Sequence, residues 1–526
     1  MKGKNKISDS IIKGTLSLTI STLIVKLLGL IYKIPLANIL GDEGMGFFNS
    51  AYTVYSFFFL LCTAGVPKAI MILVSSCKAK NDSEEVSRII SISMRLFLCI
   101  GVVISLIFAI FSGQLASLIG NSQARATMIA VAPSIIFISL ASVVRGYLSA
   151  DMRLFEIAVS QIIEGVGKLA VGLIFACLSA KANMPLQIIS AMIILGVSFG
   201  SLVGLLYLIA ISKIKIKRYK TGQNGIIRKI FRISLPITVS AAIMSLTNVI
   251  DLGLIMRSLE HIGYTEAESA AMYGNYTTLA VPMLNLALAI ISPISIAYLP
   301  VFTKAITTND YELLERSETS ALKFASFIAS PMLVGLIVYS REILSILFPS
   351  SSADVGAMLL CLLCPAIVFS SSLLIINNSL EAGGRVRAPL ISMSLGCVVK
   401  ILVSYFLIRN PAFGISGAPI GTVCSYATAL LVSAIIYRIE YNRSIDVFYG
   451  YLPSIVFSVT AVLLSRILYN SLYFKLGQIT LLAVSIILCA ALYFGISALY
   501  ELVKGKGKIE LAKYTNFAHL NCKIDT

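Results

Sequence analysis

The chain has no tryptophan, two histidines, and few charged residues: 13% of its 526 positions, of which 25 are Asp or Glu. Each scarcity excludes something. Two histidines leave no room for a Ser-His-Asp arrangement, and no Gly-rich phosphate loop of the P-loop type is present, so neither covalent catalysis nor ATP hydrolysis is expected and the chain reads as a non-enzyme. The ten cysteines are scattered mostly through apolar stretches, as small buried side chains rather than a disulfide framework. Cys361 and Cys364 form a C-x-x-C, but their apolar neighbours argue against a metal, and none is assigned. Polar stretches long enough for a soluble domain are also missing. In their place, 57% of the residues are hydrophobic and mean hydropathy is +0.90, well outside the globular range. Apolar runs long enough to cross a bilayer recur along almost the whole length.

The reading is therefore an all-α polytopic membrane protein with about 14 transmembrane helices. Spans are expected near 14–40, 47–75, 88–112, 126–149, 154–178, 184–212, 230–258, 270–302, 322–345, 354–378, 388–409, 415–437, 447–470 and 475–503. The net charge of +17 would suggest nucleic acid in a soluble protein. Here the Lys and Arg residues gather in alternate connections, as cytoplasmic loops do, so a nucleic-acid partner is not expected. That alternation places both termini in the cytoplasm. The basic start, Met1 to Lys13, leads into a long apolar stretch without a small-residue cleavage site, which reads as a retained first helix.

The chain also repeats itself. Leu28-Gly29-Leu30-Ile31-Tyr32-Lys33 returns as Leu252-Gly253-Leu254-Ile255-Met256-Arg257. A second echo at one fixed offset pairs Pro133 with Pro365, Phe137 with Phe369, Arg153 with Arg385, and Lys168 with Lys400. Repeated membrane halves commonly enclose a substrate path. The expected organisation is an N-lobe at 1–212 (spans 1–6), a basic cytoplasmic linker at 213–229 and a C-lobe at 230–437 (spans 7–12). Spans 13–14 at 438–503 and a basic tail at 504–526 complete it. The densest basic stretch, Lys213 to Arg232, is expected to anchor the topology and touch anionic lipid heads.

Charges deep in a span are costly, about 2.5–3.5 kcal/mol each on insertion scales, and are functional candidates. Six are basic: Lys26, Lys33, Lys68, Lys168, Arg257 and Lys400. Two are acidic, Glu164 and Asp251, with a coupling or structural role. Lys26 and Lys33 are two helical turns apart and share a face. Glu164 and Lys168, one turn apart, are placed to neutralise each other, whereas Lys400 has Gly396 where an acid would be. Lys68 follows a Gly65/Pro67 break that would bend its helix. An excess of buried cations suits an anionic substrate such as a diphosphate; a cation exporter would instead keep its acids free.

Several motifs carry a family resemblance: Lys13-Gly14-Thr15-Leu16, Lys26-Leu27-Leu28-Gly29, Ile34-Pro35-Leu36 and Leu40-Gly41-Asp42-Glu43-Gly44-Met45-Gly46. Ala64-Gly65-Val66-Pro67, Arg145-Gly146-Tyr147, Ser160-Gln161-Ile162-Ile163-Glu164 and Gly417-Ala418-Pro419-Ile420-Gly421-Thr422 extend it over nearly the whole chain. In these the chain resembles the multidrug/oligosaccharidyl-lipid/polysaccharide (MOP) exporter superfamily and its SpoVB/MurJ-like branch of Gram-positive bacteria. The resemblance implies a V-shaped fold of two six-helix lobes plus two C-terminal helices, in the bacterial cytoplasmic membrane. It implies a flippase that moves a polyprenyl-diphosphate-linked glycan, for peptidoglycan, spore cortex or surface polysaccharide, by alternating access. The partners implied are that lipid-linked anionic glycan, the membrane and cell-wall synthesis proteins. No cofactor is implied, only a coupling ion (H⁺ or Na⁺) or the membrane potential. The alternative is a cation-coupled small-molecule exporter of the same MATE-like fold, using Glu164 and Asp251. The flippases resembled usually carry Arg at Lys26. They tend to carry Arg at Tyr32, Asp at Lys33 and Arg near Tyr276, so Lys33 and Arg257 would rebuild the basic cluster from shifted positions.

Overall fold

A computed structural model describes residues 2–214, 223–348, 352–385, 387–472 and 477–503; the side chain of Lys26 and the basic linker and tail at 215–222 and 504–526 lie outside the described residues. Among the described residues the chain is helical throughout, as backbone in hydrocarbon must be if its N–H and C=O groups are to be satisfied internally. The N-terminal half comprises α1 (Lys2–Thr63), α2 (Val66–Ala79), α3 (Ser83–Ile110), the short α4 (Ser112–Leu118), α5 (Arg125–Ala150), α6 (Leu154–Lys181) and α7 (Leu186–Ser212). The C-terminal half opens with α8 (Gln223–His261) and α9 (Glu266–Asn275), then a π-helical turn (Tyr276–Ala280) that continues into α10 (Val281–Thr307). It proceeds through α11 (Tyr311–Val338), α12 (Ser340–Leu347), α13 (Ala353–Leu363), α14 (Ala366–Ala382), α15 (Arg387–Ile408) and α16 (Gly417–Tyr441). Two further helices, α17 (Tyr451–Leu472) and α18 (Gln478–Val503), end it. Eleven helical stretches among the described residues are long and apolar enough to cross a membrane, or up to twelve with the bent pair α13–α14. This is a multi-pass membrane protein.

Two breaks shape α1 and its continuation. Gly41 has φ 64°, a left-handed value that glycine adopts without penalty. Sixteen residues of straight helix would separate Tyr32 from Phe48 by about 24 Å, yet their rings sit 6.5 Å apart. The chain therefore folds back at Gly41, making two antiparallel limbs of α1. The expected Gly/Pro break is also present: helix is lost at Ala64–Gly65 and resumes with Pro67 in the first turn of α2, where a missing N–H costs nothing. The approach of α8 explains the glycine, since a Cβ at Gly65 would lie 2.2 Å from the Ser234 carbonyl oxygen.

Within each half, one glycine-bearing helix pair packs most closely. α6 meets α7 where a Cβ on Gly196 would lie 2.7 Å from the Lys168 carbonyl oxygen and one on Gly200 2.4 Å from that of Glu164. α15 meets α16 in the same manner at Gly396 and Gly421. Small residues allow such close backbone packing in lipid, where no hydrophobic force drives helices together. These contacts fix the helices that carry Glu164, Lys168 and Lys400.

The halves meet chiefly through α1 and α2 against α8 and α9. Toward the Gly41 end the seal is tight. A Cβ on Gly46 would lie 2.1 Å from the Ala270 carbonyl oxygen, and one on Gly274 2.3 Å from that of Asp42. Polar links ring this contact: Asn275 Nδ2 donates to Asp42 Oδ2 at 3.1 Å, and Ser352 donates to the same oxygen from both its hydroxyl (2.6 Å) and its amide (3.1 Å). Glu266 accepts from the Ser122 hydroxyl at 2.7 Å.

Candidate functional site

Below that seal, the π turn of Tyr276–Ala280 sets the geometry. The Val281 N–H reaches back five residues to the Tyr276 carbonyl. In an α-helix that amide would serve Thr277, and the next amide position is Pro282, which has none. The Thr277 carbonyl is thus left without a backbone donor, a state that costs free energy away from water. Lys33, on the first limb of α1, supplies the donor from the opposite half: its Nζ lies 2.9 Å from the Thr277 oxygen. The neighbouring turns add Asn49 Nδ2 donating to Thr278 Oγ1 at 2.7 Å and a 3.0 Å hydroxyl pair between Thr53 and Tyr273.

Lys168, at mid-length on α6, lies within electrostatic reach of Lys33 and repels it. It does not pair with Glu164. Its Nζ sits over two aromatic faces, 4.5 Å from the Tyr52 ring centre and 5.6 Å from that of Tyr32, contacts worth about 0.5–2 kcal/mol each depending on desolvation. Tyr32 is itself wedged against Gly172, where a Cβ would fall 2.2 Å from the phenol oxygen. Among the described residues neither Lys33 nor Lys168 has a carboxylate within ion-pair distance.

On the other side of the π turn, Lys400 Nζ forms a 2.8 Å ion pair with Asp251 Oδ2, their side chains 14% and 8% exposed. Tyr276 and Tyr426 lie within electrostatic reach of Lys400, and Tyr276 shares a 2.9 Å hydroxyl contact with Thr422. Asp251 Oδ1 has no hydrogen-bond partner among the described residues.

The structure thus corrects two expected pairings and places the other cations. Glu164 is neutralised not by Lys168 one turn away but by Arg145 on α5, at 2.7 Å, with a 3.3 Å contact from the Ser201 hydroxyl. α5 and α6 form a helical hairpin that sets one Arg145 nitrogen against Glu164 Oε2, while Glu164 Oε1 accepts from Ser201 and Lys168 turns instead to the Tyr52 and Tyr32 rings. Lys400 is not a lone cation, since Asp251 arrives from α8. Lys68 is exposed on α2, within electrostatic reach of Glu381 on α14. Arg257 is exposed near the Gly41 end, where it donates to the Ser117 carbonyl at 3.3 Å and, with Arg125, lines an open pocket of about 740 Å³. Lys26 shares α1 with Lys33 but its side chain is outside the described residues. Sequence reasoning missed Arg145, the tyrosine platform under Lys168 and the Thr277 carbonyl. Pro282, directly after Val281, was the available signal for the last.

The model of a family described as polysaccharide biosynthesis protein matches residues 11–306. The chain belongs to this family. Within the polysaccharide biosynthesis proteins, it is 24% identical over 435 residues to stage V sporulation protein B of Bacillus subtilis (strain 168), covering 81% of this chain and 83% of that one. It is likewise 24% identical over 462 residues to the lipid II flippase MurJ of the same organism, covering 82% and 83%. Among solved structures, the inward closed conformation of a lipid II flippase MurJ superposes with a TM-score of 0.72 at 17% identity, covering 92% of this chain and 98% of that one. An inward-facing MATE-family multidrug resistance transporter of the MOP superfamily follows at TM-score 0.67 and 16% identity, covering 82% and 98%. The resemblance read from the motifs therefore holds, and this polysaccharide biosynthesis protein has the MurJ/MATE fold.

Proposed function

We propose that this protein is a flippase for a polyprenyl-diphosphate-linked glycan in the bacterial cytoplasmic membrane, working by alternating access rather than by covalent chemistry. The observation that carries the reading is the pair Lys33 and Lys168. Two adjacent ammonium groups lie between the halves with, among the described residues, no carboxylate partner, and are held there by a carbonyl and two rings. Such a pair attracts a doubly charged anion, and a diphosphate supplies one. The likeness to proteins named for lipid II flipping and for sporulation supports a lipid-linked glycan as cargo.

In this reading the fold comprises fourteen spans: the limbs of α1 on either side of Gly41 (the second continued by α2), six in all through α7, six from α8 to α16, and α17–α18. The halves are two lobes sealed at the Gly41 end. The opposite end, which carries Lys78, Lys80, Arg153, Lys213, Arg385 and Arg443, faces the cytoplasm with both termini. The sealed end is then the outer one. The alternative, a cation-coupled small-molecule exporter, would use Glu164 and Asp251, and both are ion-paired; the buried Glu318 has no ion pair among the described residues, but its oxygens accept from the Ser379 and Tyr437 hydroxyls.

The test is reconstitution of the full chain in vesicles with a fluorescent polyprenyl-diphosphate sugar, its movement read by quenching from outside. Lys33→Met and Lys168→Met should each abolish movement with the protein still folded. Wild-type movement in the double variant would overturn the proposal.

A further inference from the structure

The Lys33–Thr277 contact is more than a convenience for a stray carbonyl. It joins the N-terminal half to the segment of the C-terminal half that also carries Tyr273, Asn275 and Thr278, each linked to the N-terminal half by its own hydrogen bond. Its strength depends on a local defect. The π register gives the Val281 amide to Tyr276, and Pro282 withholds the next one, so the Thr277 oxygen is available to a side chain and to no backbone donor. We infer that this orphaned carbonyl is a latch: it holds Lys33 across the interface until a phosphate competes for the ammonium, and anion binding thereby loosens the seal at the Gly41 end.

This rests on the reading of Lys33 and Lys168 as anion ligands. A carbonyl is a neutral acceptor, whereas a phosphate oxygen is ionised and makes the shorter, stronger charge-assisted bond. Lys168 stands on the N-terminal half, so a phosphate held by both lysines draws Lys33 toward that half and away from Thr277. The ammonium cannot stay with the carbonyl once the halves part. Thr277 and Pro282 are positioning residues in this scheme; neither needs to touch the glycan.

The experiment uses the full chain in nanodiscs, its ten native cysteines replaced by alanine, with Asn49→Cys as reporter and as the parent for every variant, because Asn49 is 4% exposed against Thr278 in the sealed state. Labelling by a polar maleimide is followed with and without a long-chain polyprenyl diphosphate, and binding of that lipid is measured separately. In the parent protein the lipid should speed labelling. Pro282→Ala returns an amide to the helix and should speed labelling without lipid, roughly tenfold if one charge-assisted bond is lost, while lipid affinity is kept. Lys33→Met should also label fast without lipid but lose roughly ten- to a hundredfold in affinity. Lys33→Arg, which can reach both acceptors, should restore slow labelling and its response to lipid. Parent-like slow labelling of Pro282→Ala and Lys33→Met would overturn the latch, even if Lys33→Met had lost lipid binding. Full lipid affinity in Lys33→Met would instead overturn the anion-site reading on which the latch rests.

Discussion

Replacing Gly46 with alanine should force open the seal at the Gly41 end. The new Cβ would lie 2.1 Å from the Ala270 carbonyl oxygen, 2.5 Å from its carbon and 3.0 Å from its Cα. All three are backbone atoms of α9, so no side chain can swing aside. Relief requires α1 and α9 to separate by more than about 1 Å before carbon contacts return to their optimum. That separation strains the neighbouring link from Asn275 to Asp42. Overpacking of this kind costs about 1–3 kcal/mol, and because the contact lies between halves the cost falls on the sealed state alone. The sealed population should drop by about 5- to 150-fold relative to the open one. Labelling of Asn49→Cys reads this directly. Gly274→Ala should behave alike, its Cβ falling 2.3 Å from the Asp42 carbonyl oxygen, whereas Gly335→Ala, with nothing within 4 Å, is the control. If Gly46→Ala and Gly274→Ala label no faster than Gly335→Ala, the glycine contact does not hold the seal.

Asp251→Asn should lower thermal stability by about 3–5 kcal/mol, since it strands the buried Lys400 ammonium; adding Lys400→Met should recover most of the loss, as a melting series would show. Glu164→Gln should cost about 1–3 kcal/mol through the weakened hold on Arg145 and leave vesicle transport intact, because Lys168 does not depend on Glu164; collapse of transport would favour the cation-coupled exporter. Gly172→Ala should destabilise by about 1–3 kcal/mol through its clash with the Tyr32 hydroxyl, and Tyr32→Phe in the same chain should relieve part of it, the ring carbon behind that oxygen being 3.0 Å from the new Cβ.

Much of the fold was legible in the chain because lipid makes the pattern simple. An apolar run of sufficient length is a helix, and Gly65 with Pro67 breaks one where the sequence says it should. The reversal near Gly41 was legible as the gap between the spans expected at 14–40 and 47–75, whereas the positive φ that makes it was not. The identities of the deep charges were legible too, but not their partners. Spacing along one helix proposes Glu164 with Lys168, and spacing cannot see that α5 sets Arg145 closer. It cannot see Asp251 reaching Lys400 from α8, more than a hundred residues away in the chain. Nor does depth in a span say which way a side chain faces, so Arg257 was counted with the cluster although it lies at an exposed mouth.

The pairings also decide which charges are left to act. An unpaired ion in a bilayer interior costs about 2.5–3.5 kcal/mol even on lenient scales, so a chain that merely tolerated its deep cations would pair them all. This one does so for Arg145 and Lys400, each given a carboxylate from another helix. Among the described residues it sets no carboxylate against Lys33 and Lys168, which are close enough to repel one another, and gives them neutral acceptors: one carbonyl and the faces of Tyr52 and Tyr32. Neutral acceptors keep an ammonium oriented without cancelling its charge. A carboxylate in the same place would hold it too firmly for a phosphate to displace. Introducing one, as Tyr52→Glu, should therefore raise thermal stability while suppressing transport, a combination that simple damage to the fold would not produce. A stabilised variant with wild-type transport would show that the uncompensated charge on Lys168 is not used.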